Sequence, residues 1–410
     1  MIDSISVSCM RSLAGFEQKL GPGITVVYGP NGCGKTTILE AIHLLAQGFS
    51  FRAKDLKEAI SWKSDEMVVR GHFEDSCVER NRGIRVHRRG IEVRENGESL
   101  KSAAALFGCC PAVIMQPSDI ELLRGAPDVR RHWLDEILCY RSAANAAILR
   151  RYKRILQQRN QWLKQYKKAN LDRRNGLPAA EVVGGEDLFK ILTEQLIDQG
   201  AKLWAARLTL TAEMSPIITG YYRKLSGGVD EITCAYKSSI LKELDALDGA
   251  EFMDGEALDA AGVAAETAAG VAPASRDGAV SEEELRTAFA RKLAGLEFVE
   301  KMQGMTMAGP HRDDLALCIG GYEMRSVGSQ GQCRSAALAM RFAAVDVASR
   351  YLSKPILLLD DIFAELDVNR RNAVATLIRE KECQVVIATP QKEDLPFVAD
   401  AEIELQNLIN

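Results

Sequence analysis

The 410-residue sequence contains no unbroken apolar run of about eighteen residues or more, which excludes a membrane-spanning helix of ordinary length. It contains no Cys-x-x-Cys pair. Its ten cysteines are scattered, and Cys109 and Cys110 are adjacent, a poor geometry for a structural bridge. Free thiols in a reducing compartment are therefore expected, and no zinc site. The opening residues, Met1 to Phe16, lack a basic stretch followed by a long apolar one, so no secretory signal is expected and the cytoplasm is the expected location. There is no internal repeat and no sustained heptad pattern, which argues against long coiled-coil arms. Nor is there an excess of positive charge: the net charge of −4 argues against a protein that coats nucleic acid indiscriminately. Any such contact must come from local basic surface.

What is present suits a globular chain of two or three domains, with 47% hydrophobic and 26% charged residues. Strand patterns open the chain (ISVSCM, GITVVYG), and an apolar helix, ILEAIHLLAQG, follows a glycine-rich turn. MVVRGHF, IRVHRRG and IEVREN read as short antiparallel strands with Gly90 at a hairpin turn. From about Ser118 to Leu225 the apolar spacing is helical. Residues 245–281 are rich in Ala, Gly, Asp and Glu and read as an acidic linker. Ser281-Glu-Glu-Glu then starts a helix with a capping box. LALCIGG, PILLLDD, QVVIATP and the terminal AEIELQNLIN read as strands. The expected fold is α/β, with a head assembled from residues 1–117 and 301–410 and a helical domain over 118–300.

Gly29-Pro30-Asn31-Gly32-Cys33-Gly34-Lys35-Thr36 fits G-x-x-x-x-G-K-[ST], between an apolar strand and a helix, and Thr37 follows. Glycines there let backbone N–H groups face phosphate oxygens, and the helix N-terminus adds positive potential. Lys35 is expected to reach the β- and γ-phosphates of ATP, and Thr36 to hold Mg²⁺. Cys33 is read as a small loop residue whose alkylation would block the site. Pro355-Ile-Leu-Leu-Leu-Asp360-Asp361 is an apolar strand ending in two acids. Asp360 would stand near Mg²⁺ and Asp361 would position or deprotonate the attacking water. About 320 residues separate the two motifs, far more than in compact nucleotide-binding domains, which points to heads carrying a large insertion. Ser329-Gln330-Gly331-Gln332 precedes an apolar helix and is an imperfect form of the S-G-G-Q stretch that, in ABC-type ATPases, meets the partner's γ-phosphate.

Further stretches carry a specific resemblance. Gly309-Pro-His-Arg-Asp-Asp314, Ser329 to Arg334, Leu357 to Asp367, Arg124 to Asp135, Gly32 to Leu45, Phe49 to Arg52 and Tyr152 to Leu163 match in order the stretches of the RecF family. The resemblance implies an ABC-type ATPase head, related to those of SMC and Rad50 proteins, with an inserted helical arm. It implies ATP-dependent homodimerisation, slow hydrolysis, and binding to duplex DNA beside single-strand gaps, with RecO and RecR as partners in loading RecA. It also implies that Gln116 links Mg²⁺ and water to the arm, that Asp367 crosses the dimer, and that Thr389 stands where relatives carry a switch histidine. Ser118 stands where the family has an acid after Pro117, and Met10 where an aromatic precedes Arg11.

Residues 150–174 hold ten Lys or Arg and one acid, with Tyr152, Trp162 and Tyr166 interleaved. Arg150, Arg151, Lys153, Arg154 and Arg159 are the expected DNA contacts, acting on phosphates without reading sequence. A solvated helix face is an equally good reading of the same run. A second basic stretch runs from Arg80 to Arg89. The alternative function is an SMC- or Rad50-like ATPase with a structural or nuclease-coupled role.

Overall fold

The computed structural model describes all residues except 76–77, 109, 179–180, 229, 242–243, 245–279 and 406–410. The acidic 245–281 stretch thus lies outside the described residues but for its last two. The chain forms two compact units. The first comprises Met1–Glu121, Gly220–Val229 and Ser329–Asn410, and the second Leu122–Thr219 and Asp230–Gly328. The longer helices are α1 (Lys35–Gln47), α2 (Pro127–Arg141), α3 (Ala143–Arg174), α4 (Gly185–Ser226), α5 (Glu282–Gln303), α6 (Gln330–Tyr351) and α7 (Val368–Glu380). Among the described residues no helix is long and apolar enough to cross a membrane.

The first unit has two sheets. One is a five-stranded parallel sheet in the order β14-β3-β13-β12-β8, made of Ala401–Glu404, Ile24–Tyr28, Val385–Thr389, Ile356–Asp360 and Ala112–Met115. Its inner strands are buried along nearly their whole length, as apolar runs without alternation require. The other sheet is antiparallel, in the order β2-β1-β4-β5-β6-β7. Its strands are Leu13–Lys19, Ile2–Met10, Glu66–Asp75, Val78–His87, Gly90–Glu95 and Glu98–Leu100. Gly90 pairs with His87 across the expected hairpin turn. Helix α1 contributes to a single core with both sheets, and every residue of it except Thr36 is buried. This lone exception sits in the first turn, at the end that follows the glycine-rich loop.

The second unit packs α2, α3, α5 and most of α4 with a small antiparallel sheet, β11-β10-β9 (Tyr322–Glu323, Asp314–Ile319, Ile232–Lys237). Residues 301–328, expected with the head, belong here. Strand β10 pairs with β9 over its full length, from Asp314↔Lys237 to Ile319↔Ile232. Helix α5 starts with the expected box: Glu284 N–H donates to Ser281 Oγ (3.2 Å) and Ser281 N–H to Glu284 Oε2 (2.8 Å).

The interior of this unit carries a network of bonded polar side chains. Arg207 on α4 pairs with Asp135 on α2 (2.6 Å) and donates to the Pro310 carbonyl (2.7 Å) and the Tyr236 hydroxyl (3.1 Å). Tyr236 donates in turn to Asp313 (2.9 Å), which also accepts from the Trp204 indole. Tyr152 Oη lies 2.6 Å from His311 Nδ1, and His311 Nε2 faces the Thr306 carbonyl at 3.4 Å. A carbonyl only accepts, so the neutral ring carries its proton on Nε2 and accepts from Tyr152.

Burial pushes His311 down to about 4 and Asp313 up to about 6. The two shifts oppose each other in pH. Asp313 holds its proton longer when folded than the ordinary carboxyl at about 3.9, so its contribution to stability falls as pH rises from about 4 to about 6. His311 is protonated when unfolded up to about 6.5 but neutral when folded, so its contribution rises over the same interval. Relative to the native chain, Asp313→Asn is expected to gain stability with rising pH and His311→Gln to lose it. Each slope should approach about 1.4 kcal/mol per pH unit in urea titrations between about pH 4.5 and about pH 5.5.

Candidate nucleotide site

Strand β3 delivers the chain to Gly29, and the loop to Gly34 turns it into α1. Gly29, Gly32 and Gly34 all have positive φ, 149°, 84° and 100°. Two of the three are closed to a side chain on packing grounds as well: a Cβ on Gly29 would stand 2.5 Å from the Leu405 carbonyl oxygen and one on Gly34 2.4 Å from Leu13 Cδ2, each in a backbone region side chains rarely adopt. Asn31 and Gly32 are exposed, while Cys33 is buried beneath the loop. Lys35 Nζ donates to the Gly29 (2.7 Å) and Pro30 (2.9 Å) carbonyls, which holds the ammonium over the loop. Thr37 is buried, whereas Thr36 faces outward and its hydroxyl donates to Asp360 Oδ1 at 2.9 Å.

That bond joins residues 324 positions apart and places the carboxylate strand beside the phosphate loop. Burial raises the Asp360 carboxyl above the usual range, and the neighbouring charge of Asp361 adds to it, while the Thr36 bond pulls it back. Asp361 sits at φ 50° and its N–H donates to the Ala388 carbonyl at 2.9 Å, tying it to β13. Lys35, Thr36, Asp360 and Asp361 line one cavity of about 940 Å³. A hydroxyl beside a half-desolvated carboxylate, with a lysine and backbone N–H groups near by, is the donor set that Mg²⁺ and a triphosphate require.

Other expected residues take different places. Gln116 follows β8, whose Met115 pairs with Leu359 one position before Asp360, so it lies at the same C-terminal end of the parallel strands as the carboxylate. Its N–H donates to Asp119 Oδ2 (2.9 Å), and Asp119 Oδ1 accepts from Arg341 on α6 (2.6 Å). Ser329 and Gln332 form a capping box on α6, with Gln332 N–H donating to Ser329 Oγ (3.2 Å), and Ser329 and Gln330 are exposed. Gly331 lies against the guanidinium of Arg370, which is pinned by Ser335 Oγ (3.0 Å) and Asp367 (2.6 Å). Asp367 caps α7, and the Arg370 N–H together with the guanidinium charge keeps its carboxyl below the usual range. Thr389 ends β13, buried, with its hydroxyl donating to the Gln391 carbonyl (3.1 Å).

The basic run divides. Arg150, Arg151, Lys153 and Arg154 are exposed, Lys153 within 3.2 Å of Asp135. Arg159 is a correction. It is 1% exposed and bonds Glu300 (2.7 Å), Thr306 (2.8 Å) and Thr193 (3.0 Å), so it presents no charge to a phosphate. Its helical spacing from Tyr152 and Leu163, both core residues, was the available signal. Trp162 likewise stacks inward on Phe189. In the second basic stretch, Arg82 is buried against Glu95 (2.9 Å) and the Leu45 carbonyl (3.1 Å).

Sequence reasoning missed Glu40, a fully buried carboxylate on α1. It accepts from Arg11 (2.5 and 2.7 Å), Ser50 (2.5 Å) and Arg52 (3.4 Å), and both arginines line the cavity. Its place inside the largely apolar stretch Ile38 to Ala46 was the available signal that it is internal.

A phosphate loop on a buried helix, a carboxylate strand beside it in a parallel sheet and an inserted helical arm together define an ABC-type ATPase head. The family description "RecF/RecN/SMC N terminal domain" matches residues 1–405. The DNA replication and repair protein RecF of Geobacter metallireducens is 31% identical over 389 residues, covering 95% of this chain and 92% of that protein. That of Arthrobacter sp. strain FB24 is 32% identical over 404 residues, covering 96% and 94%. The solved structure of the recombination mediator protein RecF with ATP, in the RecFOR pathway, has a TM-score of 0.80 at 26% identity, covering 100% of this chain and 96% of that one. An Smc head domain from Pyrococcus furiosus shares the fold at a TM-score of 0.52 and 16% identity. The chain belongs to the RecF family.

Replacing Gly34 by Ala is expected to cost about 1–3 kcal/mol of stability, from the positive φ and the overlap with Leu13. Urea denaturation of the variant against the native chain measures it.

Proposed function

We propose that the chain is an ATP-dependent DNA-binding protein of recombinational repair and replication, whose nucleotide site is completed by a second copy. The observation that carries the reading is the 2.9 Å bond between Thr36 and Asp360, which unites the phosphate loop with the carboxylate strand in one cavity. Gly29 to Thr37 cradle the triphosphate, and Lys35 offsets the charge of its β- and γ-phosphates. Thr36 and Asp360 hold Mg²⁺. When bound, that ion neutralises charge spread over the β- and γ-phosphate oxygens. Asp361 orients the attacking water and accepts its proton, and Gln116 reports the site to Asp119 and Arg341. Among the described residues lining this cavity, Ser329 to Gln332 are absent, which favours their service to a partner's nucleotide across an isologous interface, with Asp367 beside them. Asp361, one methylene shorter than glutamate, suits slow turnover.

The exposed Arg150, Arg151, Lys153 and Arg154 are the proposed phosphate contacts for duplex DNA beside single-strand gaps. Relatives described in the RecFOR pathway support RecO and RecR as partners, and through them a role in loading RecA. A cytoplasmic location accords with this reading.

ATP turnover per subunit is expected to rise with protein concentration and again with gapped duplex DNA, with Lys35→Ala as the blank. A rate flat in concentration and indifferent to DNA would refute a site completed by dimerisation. Asp361→Asn is expected to accumulate an ATP-bound dimer on size-exclusion chromatography, whereas a variant that stays monomeric with ATP would remove Asp361 from the hydrolytic step.

A further inference from the structure

The chain has four tryptophans, and three are core residues: Trp133 and Trp162 are 3% exposed and Trp204 is 0% exposed. Trp62 is 100% exposed. A bulky indole left wholly in water is unusual, because tryptophan is among the most buried residues on average. It also has a definite place. Trp62 lines the same cavity as Lys35, Thr36 and Asp360.

The turn that carries it is fixed. Ile60 bridges Met10, Arg11 N–H donates to the Ala59 carbonyl (2.8 Å), and Ser61 N–H donates to the Cys9 carbonyl (2.9 Å). Ser64 N–H closes the turn on the Ser61 carbonyl at 3.0 Å, which sets Trp62 at its tip. The opposing β1–β2 connection is equally constrained, with Cys9 and Arg11 both at positive φ (55° and 52°) and Arg11 locked to Glu40.

The phosphate loop recognises phosphates and leaves the base to the rest of the cavity. Trp62 is the one aromatic among the described residues lining it. A purine needs a flat apolar surface, and an exposed indole on an anchored turn supplies one. We infer that Trp62 is the stacking platform for the adenine base of the bound nucleotide. The inference rests on the nucleotide-binding reading above and adds to it the residue that recognises the nucleoside end. Stacking uses the π-face common to all purines, so Trp62 contributes affinity for guanine nucleotides as well.

The test uses ADP and inorganic tripolyphosphate as probes of the full-length chain. ADP presents a base and tripolyphosphate does not. The emission of Trp62, taken as the difference between the native chain and Trp62→Phe, is expected to fall with ADP and to stay level with tripolyphosphate. Trp62→Ala is expected to weaken ADP binding by about five- to tenfold, with tripolyphosphate affinity kept within about twofold. Trp62→Phe keeps a ring and should retain most of the ADP affinity. The side chain has no burial to lose, so the variants should fold.

Unchanged ADP affinity in Trp62→Ala would overturn the stacking role. Equal losses for both probes would also overturn it, since the effect would then lie in the phosphate loop. A defect confined to ATP-driven association, with ADP affinity intact, would place Trp62 against a second copy instead and overturn it too. If neither probe binds the native chain better than Lys35→Ala, the nucleotide reading itself falls, and this inference with it.

Discussion

Glu40 is a carboxylate with no exposure, on a helix buried between two sheets. An ionised group in that position is tolerated only if its lone pairs are fully engaged. Arg11 meets it with two bonds, Ser50 with a third, and Arg52 with a longer contact. The consequences spread outward. Arg11 can reach Glu40 because the β1–β2 connection adopts left-handed backbone at Cys9 and Arg11. That connection in turn anchors residues 59–61, so one wall of the cavity is positioned by a buried charge pair. Ser50 also accepts from the N–H groups of Arg52 and Ala53, which holds the segment after α1 in place.

A second set of ties is made by arginines that join loops to helices. Arg341 binds Asp119 in the turn after β8, Arg334 pairs with Glu365 after β12 (2.6 Å), and Arg370 links Asp367 to Ser335 in the first turns of α6. Helix α6 is thereby tied to the ends of both neighbouring strands. Gln116 reaches this helix through Asp119 and Arg341, and Asp367 reaches it through Arg370 and Ser335, so each is two bonds from it. Gly331 belongs to this arrangement for a steric reason: a Cβ there would meet the pinned guanidinium of Arg370 at 2.9 Å.

The parts legible in the sequence were those where local chemistry and spacing coincide. The glycine-rich loop between strand and helix, the apolar strand ending at Asp360, the hairpin at Gly90 and the capping box at Ser281 were each readable from fewer than about fifteen residues. What escaped depends on burial, which a linear charge pattern does not report. Arg159 lies in a run of ten basic residues and reads as one of them, yet it faces Glu300 in the core. Arg82 hides in a basic hairpin in the same way. Glu40 looks like an ordinary helical acid. The allegiance of residues 301–328 was set by the pairing of β10 with β9, a contact between segments some eighty residues apart that no local pattern announces.

Cys33 shows what the tight phosphate loop entails for chemical durability. Its thiol is 1% exposed, although the residues on either side of it line the cavity. A reagent or oxidant must wait for the loop to open before it meets sulfur, so modification proceeds at the rate of local unfolding and not at the rate of encounter. Any ligand that holds the loop closed slows that opening. The cysteine at the centre of the motif is thus shielded most when the site is in use, and a nucleotide-binding loop can carry a thiol without being hostage to it.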